Sequence, residues 1–353
     1  MIVLGVFFFL APAAARTLTD QNGHTVDVPA TIRRVIAIPI PLASMVMVVD
    51  GGTSRLIGMN SAAKSDITEG LLGRMFPQAA QIPTRIAGEN FAPNAEALIT
   101  ARADLVIQWG DRGNAILDPI RALGIPMLTL KYGNSVLAAD WLRLTGAALG
   151  KPERGEALAR WFEQRVDEIA RLGAAVPENE RPRVIYLMRG LSTLQVAGKG
   201  TSMDGDIRDA GGINPAAHLP GAAVVGIEQI LTWNPDIILL NNFESGLQPA
   251  RLYADSRFQG IKAIDEKRVY LYPRGGFRWD PPSQETPLAV EWLHDIFHPR
   301  RALPGLRARI AQVYVDLYAY RITEAEIDEV LRMKENGQSA HYQTLFANGT
   351  ARP

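Results

Sequence analysis

The residues of this chain best suited to chemistry are arginines interleaved with aromatic rings, each lying at or just past the end of an apolar run. Trp109 and Arg112 follow "DLVIQ", Lys131 and Tyr132 follow "MLTL", and Arg189 follows "VIYLM". Tyr272, Arg274, Phe277, Arg278 and Trp279 close or follow "RVYLYP". A guanidinium presents a planar fork of donors to carboxylate or catecholate oxygens, while an aromatic ring covers a flat apolar face or a cation. Any one such arginine reads by default as a solvated loop residue. The joint pattern makes Trp109, Arg112, Tyr132, Arg189, Tyr272, Arg274, Arg278 and Trp279 the expected lining of a cleft for a bulky, anionic, partly aromatic ligand.

Other chemistries lack their residues. The chain has no cysteine, which excludes disulfides, thiolate metal sites, a cysteine nucleophile and a lipid-modified cysteine. No G-x-S-x-G elbow occurs, and no nucleophile, base and orienter set is recognisable, so no enzyme activity is expected. "GKGTSMDG" (198–205) has two glycines of a dinucleotide fingerprint, but Met203 stands where the third belongs; it reads as a turn before a helix. His294 and His298 are four apart without the glutamate of a zinc helix, so a capping or surface role is expected and no metal site. Lys+Arg 37 against Asp+Glu 37 leaves no global field toward nucleic acid.

The elements that must position the arginines alternate between strand and helix. "RRVIAI" (33–38), "RLIGM" (55–59), "ADLVIQW" (103–109) and "IPMLTL" (125–130) are separated by helix-length intervals, as parallel βαβ units require. In open α/β sheets ligands bind beyond the carboxyl ends of the strands, which is where the arginines lie. "PERGEALARWFEQRVDEIARL" (152–172) has Leu158, Trp161, Phe162, Val166, Ile169 and Leu172 at three- and four-residue steps, Pro152 at its start and Gly173 past its end. It is expected to be one long helix joining two lobes. Strands resume at "RPRVIYLM" (181–188), and a helix is expected from Glu285 to His298. Thr323 and Glu326 form a capping box for a further helix.

"MIVLGVFFFLAPAAA" is uncharged, apolar from Ile2 to Leu10 and ends in small residues, as a secretory signal does. Its usual basic n-region is expected upstream of Met1. The plan is thus a signal peptide (1–15), an N-terminal lobe (16–150), an interlobe helix (151–174), a C-terminal lobe (175–300) and a helical extension (301–353). One phrase occurs twice: "EALITARADLVIQWG" (96–110) and "EQILTWNPDIILLNN" (228–242) share Glu96 with Glu228, Thr100 with Thr232 and Asp104 with Asp236, at an offset of 228 − 96 = 132 residues. So long a period indicates two similar half-molecules, not a solenoid.

With "LTDQNGHTVDVPATIRRVIAI", "DAGGINPAA" and "AVEWLHDIFHP", these phrases resemble the class III periplasmic substrate-binding proteins of ABC importers, which deliver ferric siderophores, haem and cobalamin. The resemblance spans roughly residues 17 to 300. It implies two Rossmann-like α/β lobes joined by a single long helix, a ligand cleft between them, a monomer in the periplasm, and no resident cofactor. It also implies that Glu96 and Glu228, one per lobe, dock on the permease dimer in the inner membrane. The expected ligand is an Fe(III)-siderophore, with haem or cobalamin as the alternative within the class and a secreted siderophore-processing enzyme as the alternative outside it.

Overall fold

The computed structural model describes residues 15–88, 90–133 and 135–348; the expected signal segment lies outside them except for Ala15. An antiparallel hairpin, β1 (Ala15–Thr19) with β2 (Thr25–Pro29), precedes the first lobe. That lobe runs β3 (Val35–Ala37), α1 (Leu42–Asp50), β4 (Leu56–Met59), α2 (Ser61–Glu69), α3 (Leu71–Met75), α4 (Ala95–Ala101), β5 (Leu105–Trp109), α5 (Asp118–Ala122), β6 (Met127–Leu130) and α6 (Val136–Ala148). Its four strands pair in the order β4-β3-β5-β6, all parallel, as the alternation predicts.

The helix α7 (Pro152–Ala174) then leads to the second lobe. Leu158, Phe162, Val166 and Ile169 form its buried face, while Trp161 and Leu172 are only partly covered. Gly173 lies within the helix rather than past its end. A Cβ there would meet the Asp209 carbonyl oxygen at 2.2 Å, so the close crossing of α7 over residues 209–211 requires glycine. A second such crossing joins α6 to α7, where a Cβ on Gly146 would stand 2.7 Å from the Gly155 Cα.

The second lobe runs β7 (Val184–Arg189), β8 (Gln195–Ala197), α8 (Ser202–Asp209), β9 (Ala222–Val224), α9 (Ile227–Trp233), β10 (Ile237–Leu240), α10 (Pro249–Ala254), α11 (Lys262–Asp265) and β11 (Val269–Leu271). Its sheet order is β11-β10-β7-β8-β9; β7, β10 and β11 run parallel, while β8 is antiparallel to both β7 and β9. The link from β7 to β8, residues 190–194, is far too short for the crossover that a parallel neighbour needs. "GKGTSMDG" is indeed the turn into a helix, with Thr201 capping α8.

The helix α12 (Thr286–Phe297) is buried throughout, and the chain ends in α13 (Leu306–Tyr318), α14 (Glu324–Val330), with its capping box, and α15 (Tyr342–Phe346). The extension is part of the core. Asn336 accepts from Leu271 N at 2.7 Å and donates to Leu271 O at 3.0 Å, satisfying the free edge of β11 as another strand would. Buried Glu291 of α12 binds Arg165 of α7 and Arg309 of α13, tying connector, second lobe and extension together. His294 and His298 are buried at the end of α12, not on the surface; burial pulls His298 down to about 4. Among the described residues no cluster could hold a metal ion, and no helix is long and apolar enough to cross a membrane.

Candidate functional site

The internal duplication is visible atom by atom. Asp104, ahead of β5, accepts from Arg33 N and Arg34 N at 2.7 and 2.9 Å, and Asp236, ahead of β10, accepts from Arg183 N at 2.7 Å. Arg34 Nε caps the carbonyl of Ala101 at the end of α4, as Arg183 Nε caps that of Trp233 at the end of α9. Each lobe therefore fixes an interior strand and the helix before it with the same device. The strands' carboxyl ends face one another across a cavity of about 210 Å³.

From the first lobe the cavity is lined by Trp109 at the end of β5, Arg112, Tyr132 beyond β6, and Phe91. The Arg112 guanidinium carbon lies 4.8 Å from the Tyr132 ring centre, 5.0 Å from Phe91 and 5.6 Å from Trp109. Among the described residues it has no carboxylate partner. Three rings hold it by their π faces and leave its N–H groups for a ligand. Asp111 accepts from Tyr132 N at 2.8 Å and orients that loop, while Gln108 donates to Phe91 O at 2.8 Å, securing a residue at φ 62°.

From the second lobe come Tyr186, Phe243, Arg278, Asp280 and the first turn of α8 at Thr201 and Ser202. That turn adds backbone donors and the positive end of a helix dipole. Arg278 is 8 % exposed and lies 4.5 Å over Phe243; its Nε is 3.0 Å from Asp66 Oδ2 and 3.7 Å from Asp280 Oδ1. Burial works against its charge, but Asp280 and Asp66 outweigh it and keep the group protonated. Tyr186 donates to Asp280 at 2.8 Å; burial, then Asp280, push its phenol well above the usual range.

Two contacts join the lobes at the cavity margins. Asp66 of α2 meets Arg278 and Arg274, and burial pushes it up to about 6 against the pull of Arg278. Ser135, at the start of α6, donates to Asp206 of α8 at 2.6 Å, and burial pushes that carboxyl up to about 7.

Of the eight side chains expected in the cleft, Trp109, Arg112, Tyr132 and Arg278 line the cavity. Arg189 is exposed and stacks at 4.5 Å on Phe243 without lining it. Three lie elsewhere. Arg274 is committed to Asp66 and Glu69 as an interlobe bridge. Tyr272 is fully buried between Tyr186 and Trp292. Trp279 is buried with its Nε1 donating to Glu285 at 2.7 Å, because the loop after β11 turns it into the core beside α13. Sequence reasoning missed Phe91, Tyr186, Phe243, Asp280 and Ser202. Phe243 lies past β10 and obeys the same strand-end rule as Arg189; Phe91 gave no local signal. Glu96 and Glu228 are exposed in the first turns of α4 and α9 and form no ion pair among the described residues.

Residues 87–274 match the family model described as periplasmic binding protein. A periplasmic solute binding protein from Veillonella parvula is 32% identical, covering 92% of this chain and 99% of its own, with a TM-score of 0.83. The molybdate-binding protein MolA of Haemophilus influenzae is 24% identical over 311 residues, 82% of this chain and 86% of its own. Its structure bound to molybdate has a TM-score of 0.77, covering 87% of this chain and 99% of that one. Helicobacter pylori CeuE in a nickel–histidine complex aligns at 18% identity over 90% of this chain and 99% of its own, with a TM-score of 0.73.

Proposed function

Because the chain belongs to the periplasmic binding proteins of ABC transporters, we propose that it captures a compact anionic metal species and presents it to an ABC importer. The species is a metal oxyanion or a small anionic chelate. The observation that carries this reading is Arg112: a cation held by three rings and, among the described residues, without a carboxylate partner, in a small cavity it shares with Arg278 and the first turn of α8. A cavity of about 210 Å³ is smaller than those that enclose drug-sized ligands, which run from roughly 300 Å³ upward, and haem and cobalamin are larger still. That molybdate is bound by a relative supports the oxyanion.

The aromatic walls favour a second reading, the Fe(III)-siderophore. Phe91, Trp109, Tyr132, Tyr186 and Phe243 would cover the flat faces of a catecholate chelate once the lobes part. In either case the metal arrives with its ligands, and the protein supplies only charge and shape. Glu96 and Glu228 are the proposed permease contacts, and residues 1–15 the proposed export signal.

Titration of Trp109 fluorescence and calorimetry with molybdate, tungstate, nickel–histidine, a ferric catecholate and haem tests the ligand. Saturable micromolar binding of an oxyanion or small chelate, with no response to the ferric catecholate, is the expected result. Binding of the ferric catecholate alone replaces the first reading by the second, and binding of haem alone rejects both.

A further inference from the structure

The helices α4 and α9 match beyond their glutamates. Both are seven residues long, both start and end 132 residues apart, and both stop at a left-handed residue, Arg102 at φ 47° and Asn234 at φ 42°. From each glutamate onward the burial order is the same: exposed, intermediate, buried, exposed, exposed. The fourth place in that order holds a large aliphatic side chain in both lobes. Ile99 is 60 % exposed and Leu231 is 41 % exposed, and 231 − 99 = 132. Scattered surface aliphatics need no explanation. Two at equivalent positions of a duplicated unit, each one turn from a carboxylate that has no ion pair among the described residues and lies on the same helix face, form a repeated patch.

We infer that Ile99 and Leu231 are the apolar half of the permease-docking surface, one knob per lobe, each entering a pocket beside the cation that receives Glu96 or Glu228. This rests on the importer reading above. A chain that shows one patch twice fits a partner that shows its complement twice, a membrane permease built from two copies of one subunit. A second copy of this chain does not fit, because apposed patches would bring glutamates together. The two halves of the patch do different work. The carboxylates steer encounter and set salt dependence, while the aliphatic groups, once desolvated, slow dissociation.

The test places a photo-crosslinking p-benzoylphenylalanine at position 99, at 231 or, as control, at the exposed Val315 of α13, in cells of the source bacterium. Positions 99 and 231 are expected to crosslink to the same ABC permease polypeptide, and 315 not to. The importer so identified is then reconstituted in nanodiscs. Ile99→Ser and Leu231→Ser are each expected to weaken docking about tenfold through faster dissociation, with unchanged salt dependence. Glu96→Arg and Glu228→Arg should instead slow association. Crosslinks from one position only, from neither, or to a second copy of this chain overturn the inference. Docking lost in the arginine variants but intact in the serine variants overturns it while the importer reading stands. Crosslinks from both positions to a membrane receptor that is no ABC permease reject both.

Discussion

Arg112 and Arg278 reach the cavity from opposite lobes in different electrostatic states: Arg278 lies against Asp66 and Asp280, whereas Arg112 lies against three rings and, among the described residues, no carboxylate. Among the described residues, the cation of the site that lacks a carboxylate partner therefore lies on the first lobe. The second lobe contributes a guanidinium whose charge is already balanced. A ligand that bridges the lobes meets a strong cation on one side and a poised donor on the other.

Arg112→Ala is expected to weaken ligand binding about 10- to 100-fold, since a hydrogen bond to a charged group contributes roughly 1.5–3 kcal/mol. The melting temperature of the free protein should barely move, because Arg112 pairs with no carboxylate among the described residues. Arg274→Ala should show the converse, lower stability with a smaller effect on affinity, since its partners are Asp66 and Glu69 rather than the cavity. Calorimetry and thermal unfolding of the two variants separate these roles.

Asp66 couples binding to pH. Its carboxyl is pushed up to about 6, and its charge opposes any anion near Arg278. Protonation removes that charge, so anion affinity should rise as pH falls from about 7.5 to about 5.5, with uptake of protons on binding. In Asp66→Asn the dependence should flatten. Titrations across this range with a ligand that does not itself titrate provide the check, and a slope unchanged in the variant would reject the assignment.

Asp206 couples stability to pH with the same sign. Burial pushes its carboxyl up to about 7 in the folded protein, against the ordinary aspartate value of about 4 in the unfolded chain. Between those values the folded state holds a proton that the unfolded state has lost, so this contribution is complete below the unfolded value and disappears as pH rises through about 7. Asp206→Asn keeps a neutral partner for Ser135. The melting temperature of that variant relative to the parent should therefore increase from about pH 5 to about pH 8.

Glu285 is fully buried and forms no ion pair among the described residues; it accepts from Phe277 N at 3.2 Å, Trp279 Nε1 at 2.7 Å, Tyr314 at 3.3 Å and Tyr318. Through it α13 holds the loop that carries Arg278 and Asp280. Glu285→Ala leaves several buried donors unpaired and should cost about 3–5 kcal/mol in urea unfolding. Tyr318→Phe, which removes one donor, should cost about 1–3 kcal/mol.

Local patterns were legible because they arise from short-range constraints. The period of α7, the capping box of Thr323 and Glu326, the parallel strands of the first lobe and the duplicated phrase all follow from spacing along the chain. So did the strand-end position of Trp109, Arg112, Tyr132 and Arg278. Tertiary structure decided what spacing leaves open. Arg274 and Arg278 are the same residue type four positions apart, yet one becomes an interlobe bridge and the other lines the cavity. Asp66 meets both; the difference arises from Glu69, more than 200 residues earlier, which pairs with Arg274, and from Glu285, which turns Trp279 into the core. The sequence by itself determined two similar α/β halves, a connecting helix and the chemical character of the cleft. Which side chains enter that cleft depended on contacts between lobes and extension, because burial and pairing are properties of the packed molecule.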